Sequence, residues 1–241
     1  MILPASFRLI HNERVASTND EARRLAGEGA GHGTVVFAEE QTAGRGRRGR
    51  VWQSPKGNLH CSVLVDSPHG RAREAELAFV ASVALRDAMA PLAPRAVFTC
   101  KWPNDVLCDG AKISGMLLES ADTKIILGVG VNVVEHPTDT PYPTMSLKRA
   151  GASVTSLDLL ALFCAQLGHW YGRWSTEGFA PIRAAWMERA AGLGKGIKVN
   201  LADTTSLDGK FAGLDDNGAL MLELPGGGRR PILAGDVFFA E

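Results

Sequence analysis

The segment Gln41-Thr-Ala-Gly-Arg-Gly-Arg-Arg-Gly-Arg50 constrains the fold more than any other. From Gly44 to Arg50 it holds four arginines and three glycines in seven residues. Arginines this close repel one another and cannot all be buried without anionic partners. The glycines loosen the backbone and let its amides approach a ligand. Such a stretch has no place in a helix interior or a core strand. It reads as a mobile cationic loop that closes over phosphate or carboxylate.

Three other readings of the loop are weaker. Gly44-x-Gly46-x-x-Gly49 matches the dinucleotide fingerprint, but that fingerprint needs a helix opening at its last glycine. Gly49 instead leads into Arg-Val-Trp-Gln-Ser-Pro, which has no helical period. Arg/Gly clusters also bind nucleic-acid backbones. The chain, however, balances 26 basic against 26 acidic residues, whereas nucleic-acid domains are usually basic overall or along one face. A plain solvated loop is the usual reading of a charge run, and it loses only to what the rest of the chain contains.

At 241 residues the chain suits one large domain plus a small one. No apolar run approaches the roughly 20 residues that span a bilayer. The N-terminus lacks the pattern of a signal peptide, so a cytoplasmic protein is expected. Cys61, Cys100, Cys108 and Cys164 are scattered without a C-x-x-C. They read as small core residues in a reducing compartment, not as a zinc site or disulfide framework.

Periodicity places a helix over Ala16–Ala26, with Thr18 as cap and Glu21 completing a capping box. Thr34–Ala38 is a strand running into the arginine loop. Asn58–Asp66 alternates and reads as a half-buried strand. A helix is expected over Ala75–Met89, with extended segments at Val97–Lys101 and Val106–Leu107. Asp109-Gly110 signals a hairpin, followed by strands over Ile113–Leu118 and Lys124–Val134. Glu135–Leu147 is a Pro/Thr-rich loop. Leu157–Trp174 and Pro181–Ala190 are helical, with a break at Gly178. After Gly192, short strands broken by Asp208-Gly209, Asp216-Asn217-Gly218 and Gly226-Gly227-Gly228 suggest a small β-barrel of about 45 residues, marginal alone. The class is α+β, with a mixed, largely antiparallel sheet and flanking helices. The domains are residues 1–191 and 192–241.

Four more segments carry polar chemistry. Ser17-Thr18-Asn19 opens a helix, whose N-terminus can hold polar ligand atoms. Lys101-Trp102-Pro103-Asn104-Asp105 gathers an ammonium, an indole, an amide and a carboxylate at a bend. Lys112-Ile113-Ser114-Gly115 starts a strand. Gly128-Val129-Gly130-Val131-Asn132 puts two glycines inside a strand, which weakens it unless something must approach closely. Each has a plain alternative: caps for Ser17 and Thr18, an ion pair for Asp105 with Lys101, packing for Trp52 and Trp102, a solvated edge lysine for Lys112. Their joint appearance in this order outweighs those alternatives.

In these motifs, together with the arginine loop and Trp52, the chain resembles the biotin–protein ligases, the biotin–[acetyl-CoA-carboxylase] ligase group. The resemblance covers essentially the whole chain. It implies a class II synthetase-like catalytic domain and a C-terminal SH3-like β-barrel. With the Ser-Thr-Asn motif at residue 17, it also implies the monofunctional type, without a DNA-binding domain and with no DNA partner.

The implied reaction has two steps. Biotin and ATP, with Mg2+, form biotinyl-5′-AMP. A lysine of a biotin carboxyl carrier protein domain, in acetyl-CoA carboxylase or a related carboxylase, then receives the biotin. Lys112 and Arg47 are the implied catalytic residues. Biotin would meet Ser17, Thr18, Asn19, Gln41, Gly44, Arg45, Gly46, Arg47, Lys112, Gly115, Gly128 and Gly130. ATP would meet Arg47, Arg48, Arg50, Trp52, Lys101, Asn104, Lys112 and Asn132. No protein metal ligands are expected, and a homodimer stays open. The rival readings are a lipoate–protein ligase, a biotin or nucleotide sensor, and an RNA-binding Arg/Gly protein.

Overall fold

The computed structural model describes residues 2–201 and 205–239; the expected domain segments at residues 1, 202–204 and 240–241 lie outside them. Seven strands form the first sheet: β1 (Arg8–Val15), β2 (Thr34–Gln41), β3 (Leu59–Val65), β4 (Phe98–Lys101), β5 (Asp105–Cys108), β6 (Ala111–Ala121) and β7 (Lys124–Val131). Their order is β1-β2-β3-β7-β6-β5-β4. β1 runs parallel to β2, and the other pairings are antiparallel.

β1 has no counterpart in the sequence reading. It is an exposed edge strand, Arg-Leu-Ile-His-Asn-Glu-Arg-Val, and no residue in it is fully buried. Without an apolar face there is no period-2 signal to find.

Helices cover both faces of this sheet. Residues alternate across a strand, so Val36, Leu64 and Ile126 pack with Ala22 of α1 (Thr18–Gly27) on one face. Val35, Phe37, Val63 and Leu127 point the other way, into a larger core with α2 (Glu76–Met89) and α3 (Ser156–Glu177). This double cover corrects the reading of β3 as half-buried: all of Leu59–Val65 is buried. Its Ser62 survives burial because it is bonded; Ser62 Oγ lies 2.6 Å from Asn19 Oδ1 and 2.8 Å from Thr18 Oγ1.

The start of α1 also differs from expectation. Ser17, in extended conformation, is the N-cap residue and makes no side-chain cap. Thr18 is already helical and donates its hydroxyl to Gln41 Oε1 at 3.1 Å. Glu21 pairs with Arg24. The capping box does not form because Thr18 is engaged by β2. At the β5–β6 hairpin, Asp109 and Gly110 both have positive φ, 49° and 80°, as a type I′ turn requires.

After α4 (Phe179–Glu188), β8 (Gly196–Asn200), β9 (Ser206–Leu214), β10 (Leu220–Glu223), β11 (Arg229–Ile232) and β12 (Asp236–Phe239) form an antiparallel sheet of order β11-β10-β9-β8-β12. Asp208-Gly209 is not a turn but lies inside β9, paired with Lys198 and Ile197. A Cβ at Gly209 would come within 2.5 Å of the Glu223 carbonyl oxygen. Glycine serves close strand approach there.

The two sheets share one apolar core: Phe79 and Phe179 pack at 5.3 Å between ring centres, and Trp186 reaches Phe211. Trp102 Nε1 donates to the Gly218 carbonyl at 3.1 Å. All four cysteines are buried free thiols; burial pushes Cys100 and Cys164 up to about 12. No helix among the described residues is long and apolar enough to cross a membrane.

Candidate active site

One crevice opens where the start of α1, the arginine loop, the β4–β5 turn, β6, β7 and β12 meet. Ser17, Thr18, Asn19, Gln41, Arg45, Gly46 and Arg47 line it on the helix and loop side. Gly115, Gly128 and Gly130 line it from the sheet, and Arg50, Trp52, Lys101, Asn104 and Lys112 complete the set. Fifteen of the residues singled out in the sequence thus converge on one cavity.

Three further residues expected at the site do not line it. Asn132 is buried and its amide donates to the Met145 carbonyl at 3.1 Å, tying the 132–147 segment to its neighbours. Gly44 is tight for a different reason: a Cβ there would lie 2.5 Å from the Trp52 carbonyl oxygen. Arg48 turns away to Asp236 at 3.0 Å.

The polar end is a continuous hydrogen-bonded chain. Gln41 Oε1 accepts from the Thr18 amide at 2.8 Å, and Gln41 Nε2 donates to Ser54 Oγ at 2.9 Å. Asn19 Nδ2 donates to Glu119 Oε2 at 2.9 Å. The glycines make room for these groups. A Cβ on Gly128 would lie 2.3 Å from Asn19 Oδ1, and one on Gly130 would lie 2.4 Å from the Trp52 ring. Trp52 therefore lies on the glycine floor, with its buried Nε1 unpartnered among the described residues.

Lys112 and Gly115 share the crevice although they are three residues apart, a spacing that points opposite ways on a regular strand. The cause is a β-bulge: Val106 pairs with Ser114 and Leu107 with Lys112, so Ile113 is an extra residue in β6. Lys112 Nζ sits 2.8 Å from Asp105 Oδ1, flanked by the Trp52 and Tyr142 rings at 5.8 and 5.6 Å. Lys101 Nζ lies 5.3 Å from the Phe239 ring centre. Burial pulls Lys101 below the usual lysine range, against the pull of Asp105.

The arginine loop is a small hairpin. Gly46 N donates to Arg50 O at 2.7 Å, Trp52 N donates to Gly44 O at 2.9 Å, and Arg45 bridges Val51. Arg48 takes a left-handed conformation at its tip, φ 56°. Arg45 pairs with Asp20 at 2.6 Å and Glu119 at 3.1 Å. Arg50 pairs with Asp236, as Arg48 does. Among the described residues the Arg47 guanidinium instead donates only to a neutral amide oxygen, Asn104 Oδ1, at 3.2 Å. Burial draws its pKa below the usual arginine range, with Asp236 the main opposing charge.

Glu119, Ser62, Tyr142 and Asp236 were missed by sequence reasoning. Glu119 closes the apolar run of β6, so a charged residue ending a buried strand was the available signal. Nothing local marks Asp236, whose partners are 186 and 188 residues away.

The biotin/lipoate A/B protein ligase family model matches residues 12–133, and the biotin protein ligase C-terminal domain model matches residues 192–240. The chain belongs to the biotin/lipoate A/B protein ligase family. Within this family it is similar to the biotin–[acetyl-CoA-carboxylase] ligase of Paracoccus denitrificans, 41% identical, covering 94% of this chain and 98% of that one. The bifunctional ligase/repressor BirA of Bacillus subtilis is 32% identical, over 89% of this chain and 69% of its own length. The fold is similar to that of the Aquifex aeolicus biotin protein ligase in complex with biotin and ATP. The TM-score is 0.85 at 26% identity, covering 97% of this chain and 98% of that one.

Proposed function

We propose that this chain is a biotin–[acetyl-CoA-carboxylase] ligase. It forms biotinyl-5′-AMP and passes the biotinyl group to a lysine of a biotin carboxyl carrier domain. One observation carries the reading: the Ser17–Asn19 end, the glycine floor, Arg47 and Lys112 line a single crevice. A near-full-length relative of that name, 41% identical, supports it.

In the first step a biotin carboxylate oxygen attacks the α-phosphorus of ATP. The bond to the bridging oxygen breaks and pyrophosphate leaves. Both reactants are anions, so positioning and charge neutralisation are the main tasks. Lys112, held by Asp105, stands between carboxylate and α-phosphate. Arg47 supplies the second cation. Ser17, Thr18, Asn19 and Gln41 hold the polar head of biotin over Gly115, Gly128 and Gly130. Lys101, Asn104 and Arg50 face the nucleotide, while the Trp52 ring walls the biotin end from its seat on Gly115 and Gly130. In the second step the acceptor amine attacks the carbonyl of the mixed anhydride, loses a proton and displaces AMP. The hairpin loop keeps water from the adenylate.

Mg2+ enters with ATP in this reading. Magnesium needs only one or two carboxylates besides phosphate oxygens. The carboxylates that line the crevice are already engaged, Asp105 by Lys112 and Asp236 by Arg48 and Arg50, and among the described residues no three His, Cys, Asp or Glu side chains cluster, so the ion would be held mainly by phosphate oxygens and water. The bound ion would offset charge on the departing pyrophosphate. Residues 1–191 act as the catalytic domain and 192–241 as the C-terminal domain, in the cytoplasm. A homodimer would pair through the sheet edges β1 or β4.

ATP–pyrophosphate exchange with biotin, with lipoate and with neither tests the function. Exchange that requires biotin is the expected result. Exchange with lipoate alone would move the chain to the lipoate branch, and none with either, in folded protein with Mg2+, would leave a binding module.

A further inference from the structure

Glu119 belongs to no motif and does not line the crevice, yet it touches two residues that do. Its carboxylate accepts from Asn19 Nδ2 at 2.9 Å and from Arg45 Nη2 at 3.1 Å. Arg45 Nε, at 3.3 Å from Oε1, adds a further contact. On the outer side Arg23 Nη2 reaches Oε2 at 3.1 Å. Asn19 comes from the start of α1 and Arg45 from the start of the hairpin loop, 26 residues apart in sequence, and both bond this one side chain, beside the direct pair of Arg45 with Asp20.

The chemistry of the join is directional. A carboxylate accepts and cannot donate. It therefore forces the Asn19 NH2 toward β6 and leaves Oδ1 to accept from Ser62 and to lie against Gly128. The same two oxygens draw the Arg45 guanidinium down beside α1, where Asp20 completes its shell. Charge-assisted bonds of this kind are about twice as strong as neutral ones. Burial alone would raise the Glu119 pKa. The bonds from Asn19 and Arg45 outweigh it and hold the carboxyl below its ordinary value.

We infer that Glu119 is a positioning residue: it sets the direction of the Asn19 amide and anchors the head of the arginine loop, so that reading biotin's polar head and closing the loop are one event. The inference rests on the ligase reading for its substrate, but the anchor itself does not.

Glu119→Gln tests it. The amide keeps the shape and must present an NH2 to either Asn19 or Arg45. Half-saturation for biotin in pyrophosphate exchange should rise about tenfold or more. ATP half-saturation should move far less. Trypsin should also cut the unliganded loop, after Arg47, Arg48 or Arg50, several-fold faster than in the parent protein. Arg23→Gln removes the outer contact to Glu119 and a bond to the Ser120 carbonyl, leaves the Asn19 and Arg45 bonds in place, and should leave both readouts unchanged.

Equal rises for biotin and ATP, an equal effect of Arg23→Gln, or unaltered cleavage of the loop would overturn the inference. Should Glu119→Gln fail to fold, Arg45→Gln breaks the same link from the loop side, and unaltered cleavage at the remaining arginines overturns it equally. A parent protein that shows no biotin-dependent exchange would sink the ligase reading instead, and the cleavage comparison would still decide the anchor.

Discussion

The two ends of the arginine loop are held differently. At its head, Arg45 meets two carboxylates, Asp20 and Glu119, both carried by elements of the seven-stranded sheet and its helix. At its tail, Arg48 and Arg50 share one carboxylate, Asp236, supplied by the second sheet. Between them, among the described residues, Arg47 has only the Asn104 amide. Four guanidiniums thus meet three carboxylates, and among the described residues the surplus falls on Arg47, the one lining arginine without an ion pair. A loop that looks densely cationic in sequence delivers its uncompensated charge at one place. The comparison separates the three arginines that are ion-paired within the protein from the one whose charge is left for a ligand in the proposed reading.

The largest effect should come from Lys112→Ala, which removes the cation nearest the proposed reaction centre without touching either anchor. Single-turnover formation of adenylate should slow about 100-fold or more, while biotin and ATP affinities change less. Arg47→Ala comes next. Loss of a charge-assisted bond of about 1.5–3 kcal/mol predicts about ten- to a hundredfold weaker ATP binding by titration calorimetry. If Arg48→Ala matched that loss, the division between holding and reading would collapse. Asp236→Asn should be milder, a few-fold rise in ATP half-saturation with faster trypsin cleavage at Arg48 and Arg50, because the two exposed pairs it breaks are worth little individually.

The smallest effect is one of pH. The Arg45 hydrogen bond holds Asp20 below its ordinary 3.8, and Asn19 and Arg45 hold Glu119 below its ordinary 4.5 despite burial. A carboxyl depressed in the folded state contributes stability above its unfolded value and loses it as pH falls through the folded one. Hydrogen-exchange protection in the head of the loop, taken relative to the intrinsic rate at each pH, should therefore be flat from neutrality to about pH 5 and fall only below the ordinary carboxylate values. A loss of protection already at pH 6 would mean that some other group holds the head.

Much of the site was legible because its residues sit in short motifs at the ends of regular elements. Ser17–Asn19 open a helix, the Lys101–Asp105 bend joins two strands, and the Gly128/Gly130 pair stands out in an otherwise apolar strand. What was not legible depends on register or on distant partners. The bulge at Ile113, which brings Lys112 and Gly115 to one side, depends on how β6 pairs with β5 and has no local sign. Asn132 ends a glycine motif, and nothing in the local sequence signals that its amide donates to the backbone of the following loop. Asp208-Gly209 has the composition of a turn and is a strand because β10 passes within contact of Gly209. β1 left no pattern because an edge strand with polar residues on both sides needs none.

The dependence on Asp236 has a consequence for how the protein is made. β12 follows every other described strand and helix in the chain, so the ribosome delivers the counter-charge for Arg48 and Arg50 after the loop itself has long since emerged. Until then the loop tail is a tethered cluster of uncompensated arginines beside an unfinished wall. A chain halted before β12 would present that cluster to whatever polyanions surround it, ribosomal RNA first among them.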